Sequence, residues 1–251
     1  MLNVEKDGSV LHVTLNRPEV RNAFNDELIA ELSTTFSSLD PSVRVVVVSG
    51  EGKVFSAGGD LNWMRKAADY TEDQNYEDAL KLFKLFESMT TCSAVVVSKI
   101  HGAAFGGGCG LVSTSDVAIA QTGTKFSFSE VRLGLIPATI STFVIPKIGH
   151  GHARHLFTTG EVFETEHAQR IGLVHKVADE ETINSVVDGV LADVLRNGPQ
   201  AVAESKRTAV EGPFSGEVAS RLLAKARSGE EGKEGVAAFL DKRKASFVEE
   251  R

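Results

Sequence analysis

"AFGGGCGLVSTSD", Ala104–Asp116, is the stretch on which the fold turns. Five of its first seven residues are alanine or glycine. It follows the apolar run "AVVVSKI" (94–100) and leads into a segment that reads as a helix from about Gly107. Three successive glycines discourage ordinary secondary structure, and without a Cβ their N–H groups can be approached closely. A second glycine loop, "EGKVFSAGGD" (51–60), follows another apolar run, "RVVVVSG" (44–50). Continuous β-branched runs suit strands covered on both faces, and "DVAIA" (116–120) is a third. Strand, loop and helix in repetition predict an α/β chain with a largely parallel core.

Loops at the C-terminal ends of strands are where such folds place ligands. A helix N-terminus adds unpaired N–H donors and the positive end of a dipole. Two of these loops side by side would aim two N–H groups at one point, the construction of an oxyanion hole. A nucleotide-phosphate reading fits badly, because neither GxxxxGK[ST] nor GxGxxG is present.

Outward from the loops, Leu2–Glu5 and Val10–Leu15 flank "KDG" as a hairpin. Asn25 caps a predicted helix running to about Ser38, and another helix spans about Glu72–Met89. From Thr139 the pattern turns helical around a short "LVHKVA" strand, with helices predicted at Thr182–Arg196, Pro199–Glu211, Ser215–Ser228 and Glu230–Val248. The division expected is a β-rich core over 1–195 and a helical region over 196–251.

The composition is ordinary for a soluble globular protein of enzyme size: 251 residues, 42% hydrophobic and 24% charged. A formal charge of −7 argues against binding a nucleic-acid backbone. The two cysteines, Cys92 and Cys109, form no disulfide framework and suggest a reducing compartment. Neither a secretory leader nor a membrane-length apolar run is visible, so a cytoplasmic location is expected. The seven histidines contain no HExxH, and "GHGHARH" (149–155) reads as a solvated helix start, so metal-free chemistry is expected.

Six motifs in order make the chain resemble the crotonase, or enoyl-CoA hydratase/isomerase, superfamily. They are "NRPEVRNAF" (16–24), "FSAGGDL" (55–61), "HGAAFGGGCGL" (101–111), "FSFSEVRLGLIP" (126–137), "TGEVFETEHAQRIGLVHKV" (159–177) and "AFLDKRKASF" (238–247). The resemblance implies a crotonase (ClpP/crotonase-like) α/β fold, a repeated ββα spiral with a helical C-terminal trimerisation region. It implies an acyl-CoA substrate, no prosthetic group, coenzyme A present only as part of the substrate, and a homotrimer or a hexamer of paired trimers.

By the same resemblance the oxyanion hole is formed by the N–H groups of Gly59 and Gly107, and Glu130 is the catalytic acid/base. Arg21, Ala23, Ala57, Gly59, Leu61 and Gly107 match coenzyme A contacts made mostly through backbone. Phe239 and Lys242 match a C-terminal contribution to that site, often from a neighbouring subunit. Asp60 reads as support for loop geometry. Two-acid hydratases of the family carry a second glutamate, in "GGGCEL", where this chain has Gly110. Glu130 must then do both jobs, or another group must substitute, and Trp63, Arg65, Lys66, Thr139, Ser141 and Thr142 stay open as candidates. Cys109 is adjacent but on a helix would point elsewhere.

"DLNWMRK", "GAAFGGGCGLV" and "VRLGLIPATIS" are most similar to bacterial 3-methylglutaconyl-CoA hydratases, whose substrate carries a distal carboxylate. Arg65, Lys66 and Arg132 are the candidate bases for it. The alternatives are an enoyl-CoA isomerase or glutaconyl-type decarboxylase on the same scaffold and, in another class, a binding or assembly protein with little catalysis. The expectation attached to Gly110 is that Gly110→Glu disturbs substrate binding.

Overall fold

The computed structural model describes residues 1–250. Strands β1 (Leu2–Asp7) and β2 (Val10–Leu15) form the expected antiparallel hairpin, Leu2 opposite Leu15. Strands β3 (Val45–Gly50), β4 (Val95–Ile100), β6 (Val117–Gln121) and β9 (Lys176–Ala178) then add in parallel, giving the order β1-β2-β3-β4-β6-β9. The run of four valines in β3 is buried on both faces, as its composition requires. Val46 and Val48 enter one core with helices α1 (Asp26–Ser37), α3 (Glu72–Thr91), α4 (Gly107–Thr114) and α5 (Ala138–Thr159). Val45 and Val47 enter the other, under α7 (Ile183–Leu195). Successive side chains of a strand point to opposite faces, so one strand feeds both cores.

A second small sheet escaped the sequence reading. Strands β5 (Ala103–Phe105), β7 (Lys125–Ser127) and β8 (Phe163–Glu164) pair in that order. Each has two or three residues, too few to show a period. Helices α2 (Leu61–Ala67) and α6 (Thr165–Arg170), and the 3-10 turns at Pro18–Val20 and Ser129–Leu133, were hidden for the same reason.

Asn25 caps α1, its side chain accepting the Leu28 N–H at 2.9 Å. Helix α5 is two helices joined at Gly149, whose φ of 76° and ψ of 157° are non-helical. Helices α8 (Pro199–Glu211) and α9 (Gly216–Ser228) follow, as predicted. The last expectation is corrected: α10 covers Glu230–Leu240 and stops short of Val248. Lys242 turns left-handed (φ 54°), and the tail bonds elsewhere. The Ser246 N–H donates to Glu234, the Glu249 N–H to the Leu195 carbonyl, and buried Arg44 donates to the Phe247 carbonyl.

Candidate functional site

Both glycine loops lie at the C-terminal ends of parallel strands and run beside one another. The Ser56 N–H donates to the Ala103 carbonyl (3.1 Å) and the Phe105 N–H to the Ser56 carbonyl (3.0 Å). The first loop is also stitched to residues before α1. Phe24 donates to the Gly58 carbonyl at 2.7 Å and accepts the Asp60 N–H at 2.8 Å. In this parallel bridge the residues flanking Gly59 face Phe24, so the N–H of Gly59 faces the opposite edge. Gly58 takes φ 89°, and a Cβ there would stand 2.8 Å from the Phe105 carbonyl oxygen, so only glycine fits.

In the second loop Gly106 donates to the Ser127 carbonyl (2.9 Å) and has φ 48°. Gly107 is the first residue of α4, where a helix has no acceptor for its N–H. Neither the Gly59 nor the Gly107 N–H donates to any group among the described residues. Both are half-buried while the residues on either side of each are buried. Phe24 backs Gly107, its ring 3.2 Å from where a Cβ would be, and Met64 and Trp63 of α2 lie 3.3 and 3.5 Å from where a Cβ on Gly59 would be.

Glu130 sits at the same place. Its Oε1 is 3.2 Å from the position a Cβ on Gly106 would take. Its Oε2 is buried with no hydrogen-bond partner. Burial pushes the carboxyl above the ordinary glutamate range, since charge is disfavoured away from water. A carboxyl with a free oxygen and a raised pKa beside two unpaired N–H donors can pass a proton while the donors hold a developing oxyanion.

Gly110 does not border an opening. A Cβ on it would stand 2.5 Å from Phe86 Cζ and 2.8 Å from Ile140 Cγ2. Gly110 and Phe86 are buried, and Phe86 meets Phe24 edge to face at 6.4 Å. The side chain added in Gly110→Glu therefore meets Phe86 and Ile140 first.

The atoms nearest a Cβ on Gly110 belong to Phe86 and Ile140 and not to any candidate substitute. Cys109 is fully buried, its Sγ donating to the Ala104 carbonyl at 2.9 Å, and burial raises its pKa. Ser141 donates to the Ala138 carbonyl, and Thr142 is exposed. Thr139 is half-buried at the start of α5, and the buried Nε1 of the Trp63 indole is turned toward the Asp78 carboxyl. Of the three bases, Lys66 pairs with Asp26 at 3.1 Å and lies over Tyr70, Arg65 reaches Asn62 at 3.5 Å, and the exposed Arg132 lies against Gly160.

The matched coenzyme A positions divide into two groups. Arg21 and Ala57 are joined by the Ala57 N–H bond to the Arg21 carbonyl (2.9 Å), with Ala23 buried between the loops and Leu61 exposed at the start of α2. Phe239 (82% exposed) and Lys242 lie at the far end of α10, which packs on α8 and α9. A cavity of about 690 Å³ runs along 145–158 of α5 and is not at this site.

Asp60 supports geometry, as read. It caps α2 by accepting the Asn62 and Trp63 N–H groups and pairs with Arg17 at 2.9 Å. Burial opposes its charge, but the Asn62 N–H, Arg17 and the Trp63 N–H outweigh that and lower its pKa. The sequence reading missed Asn22. Fully buried, it donates from Nδ2 to the carbonyls of Glu51 (2.8 Å) and Val54 (2.9 Å), and its own carbonyl accepts from the Ser56 hydroxyl (2.9 Å). It adopts φ 54°, a conformation asparagine tolerates better than most residues, so "RN" was a readable turn signal.

Helix α4 is weak by composition. Gly107, Gly108 and Gly110 make three glycines in eight residues, each costing about 1 kcal/mol relative to alanine. Burial of every residue after Gly107 holds it in place.

Residues 5–250 match the family described as enoyl-CoA hydratase/isomerase. A protein of Syntrophomonas wolfei named crotonyl-CoA hydratase is 32% identical over 98% of this chain and 96% of its own length. An enoyl-CoA hydratase/isomerase structure from Marinobacter aquaeolei is 37% identical with a TM-score of 0.92, covering 99% of both chains. The structure of Pseudomonas aeruginosa AtuE is 35% identical with a TM-score of 0.94, also covering 99% of both.

Proposed function

For a chain that belongs to the enoyl-CoA hydratase/isomerase family, we propose reversible hydration of an enoyl-CoA with Glu130 as the single catalytic carboxyl, the substrate being 3-methylglutaconyl-CoA or its hydrated form, 3-hydroxy-3-methylglutaryl-CoA. The observation that carries this reading is the unpartnered Glu130 carboxyl oxygen beside the free N–H groups of Gly59 and Gly107.

In the hydration direction the two N–H groups donate to the thioester oxygen. Glu130 takes a proton from water as the water oxygen bonds to C3. The C2–C3 double-bond electrons move toward the thioester, which becomes an enolate. Protonated Glu130 then delivers a proton to C2, the carbonyl re-forms, and Glu130 returns to carboxylate. One group can serve both steps because its raised pKa lies nearer that of the groups it exchanges with. Each oxyanion donor contributes about 3 kcal/mol to the transition state.

A substrate with its own distal carboxylate could assist in proton handling, which makes a one-acid site tolerable. The closed pocket at Gly110 supports a one-acid mechanism and equally keeps a second reading open, isomerisation or decarboxylation by one base and the same oxyanion hole. The exposed Phe239 and Lys242 fit a contribution to the coenzyme A site of a neighbouring copy in a trimer or hexamer.

Turnover of 3-methylglutaconyl-CoA beside crotonyl-CoA, with product masses recorded, is the test. Gain of water supports hydration. Loss of carbon dioxide or an unchanged mass supports the second reading. A preference for crotonyl-CoA removes the branched substrate. An analogue with its distal carboxylate amidated, if hydrated equally fast, removes substrate assistance.

A further inference from the structure

Gly107 can hold a thioester oxygen only if α4 stays where it is, yet this glycine-rich helix has no side-chain cap at its N-terminus. Its C-terminal end is different. The Nζ of Lys147, on α5, donates to the carbonyl oxygens of Val112 (3.2 Å), Ser113 (3.4 Å) and Ser115 (2.6 Å). Carbonyls in a helix's last turn lack intrahelical partners, and a cation is favoured at that end. One ammonium therefore caps three carbonyls of one turn.

The surroundings keep that end rigid. The Ser115 hydroxyl meets Ser98 of β4 at 2.6 Å, and the next residue, Asp116, pairs with Lys206 (2.8 Å) and accepts the Val96 N–H (2.7 Å). Burial together with the Lys147 charge lowers His175 to about 4, so its neutral ring accepts the Ala118 N–H at 2.8 Å. Lys147 itself is lowered to about 8 by burial, with Asp116 acting the other way.

We propose that Lys147 is the positioning residue of the oxyanion hole: by anchoring the C-terminal carbonyls of α4 it sets where the Gly107 N–H stands. It acts through the helix and touches no reacting atom. The inference rests on the reading of Gly107 as an oxyanion donor. Lys147 was not among the sequence candidates, because the carbonyls it caps lie more than thirty residues earlier.

The test uses Lys147→Met and Lys147→Gln in the full chain, with acetoacetyl-CoA as probe. Its bound enolate absorbs in the near ultraviolet and reports how well the hole stabilises an oxyanion. For variants that still melt cooperatively, kcat is expected to fall about 10–100-fold, the size of effect a displaced catalytic geometry produces, with KM within about threefold. The bound-enolate band should weaken in parallel. Folded variants that keep wild-type kcat and the full band overturn the inference. So does failure of both variants to fold, which would make Lys147 purely structural. If the wild-type protein shows no enolate with acetoacetyl-CoA, the oxyanion reading itself has failed, a result distinct from a strong wild-type band that the Lys147 substitutions leave unchanged.

Discussion

At Glu130 a carboxyl oxygen is buried with nothing bonded to it, while at Gly110 a single added carbon would stand 2.5 Å from Phe86. Both positions belong to the neighbourhood of one helix N-terminus, and the protein treats them in opposite ways. An unpaired buried carboxyl costs stability, so keeping one at Glu130 is difficult to explain by packing. At Gly110 the same neighbourhood is used for the core: Phe86 and Ile140 occupy the volume, and an aromatic contact runs from Phe86 to Phe24, the ring behind Gly107. The glycine is therefore a packing requirement of α3 against α4.

The largest expected effect tests the Glu130 side. Glu130→Gln should lower kcat by about 10²–10⁴-fold, the usual contribution of a general acid/base, while KM changes by less than about threefold. Steady-state kinetics decide it, and retained turnover would favour a binding or assembly role. Next comes the Gly110 side. Gly110→Glu combines overpacking with a buried carboxylate, so a loss of about 3 kcal/mol or more in urea unfolding is expected, with no gain in turnover. A stable, faster Gly110→Glu enzyme would show that the space is open after all.

Gly110→Ala isolates the steric part. It should cost about 1–3 kcal/mol, and Phe86→Leu in the same chain should recover part of that in a double-mutant cycle. Additive effects would mean that Phe86 is not what the methyl meets. The smallest effect concerns pH. Because the folded pKa of Glu130 is raised, its contribution to stability is full at acid pH and is lost as pH rises through that folded pKa. Glu130→Gln should therefore raise the melting temperature at neutral pH, the gain shrinking as the solution is acidified. The acid limb of kcat/KM should likewise lie above the ordinary glutamate range. A limb at the ordinary value, or a Tm gain independent of pH, would show that the carboxyl is solvated.

Much of this was legible in the residues. The valine run of β3 announced a strand buried on both faces, and the loops after β3 and β4 announced where a ligand would meet backbone N–H groups. Glu130 was found by motif register, since nothing about a lone glutamate distinguishes it. The small sheet of β5, β7 and β8 was invisible because segments of two or three residues have no period. The end of α10 was misplaced because the tail's partners, Leu195 and Arg44, are far away in sequence.

What the amino-acid sequence determined alone is local or periodic: the class of fold, the strands, most helices, two bare loops and a carboxyl in register with them. What the tertiary structure decided depends on residues that meet only after folding. Asn22 joins the segment before α1 to the first loop, Lys147 caps α4, and Phe86 with Ile140 closes the volume beside Gly110. A glycine at position 110 could mean an empty pocket or a full one. Only the packing of α3 and α5 against α4 shows that it is full.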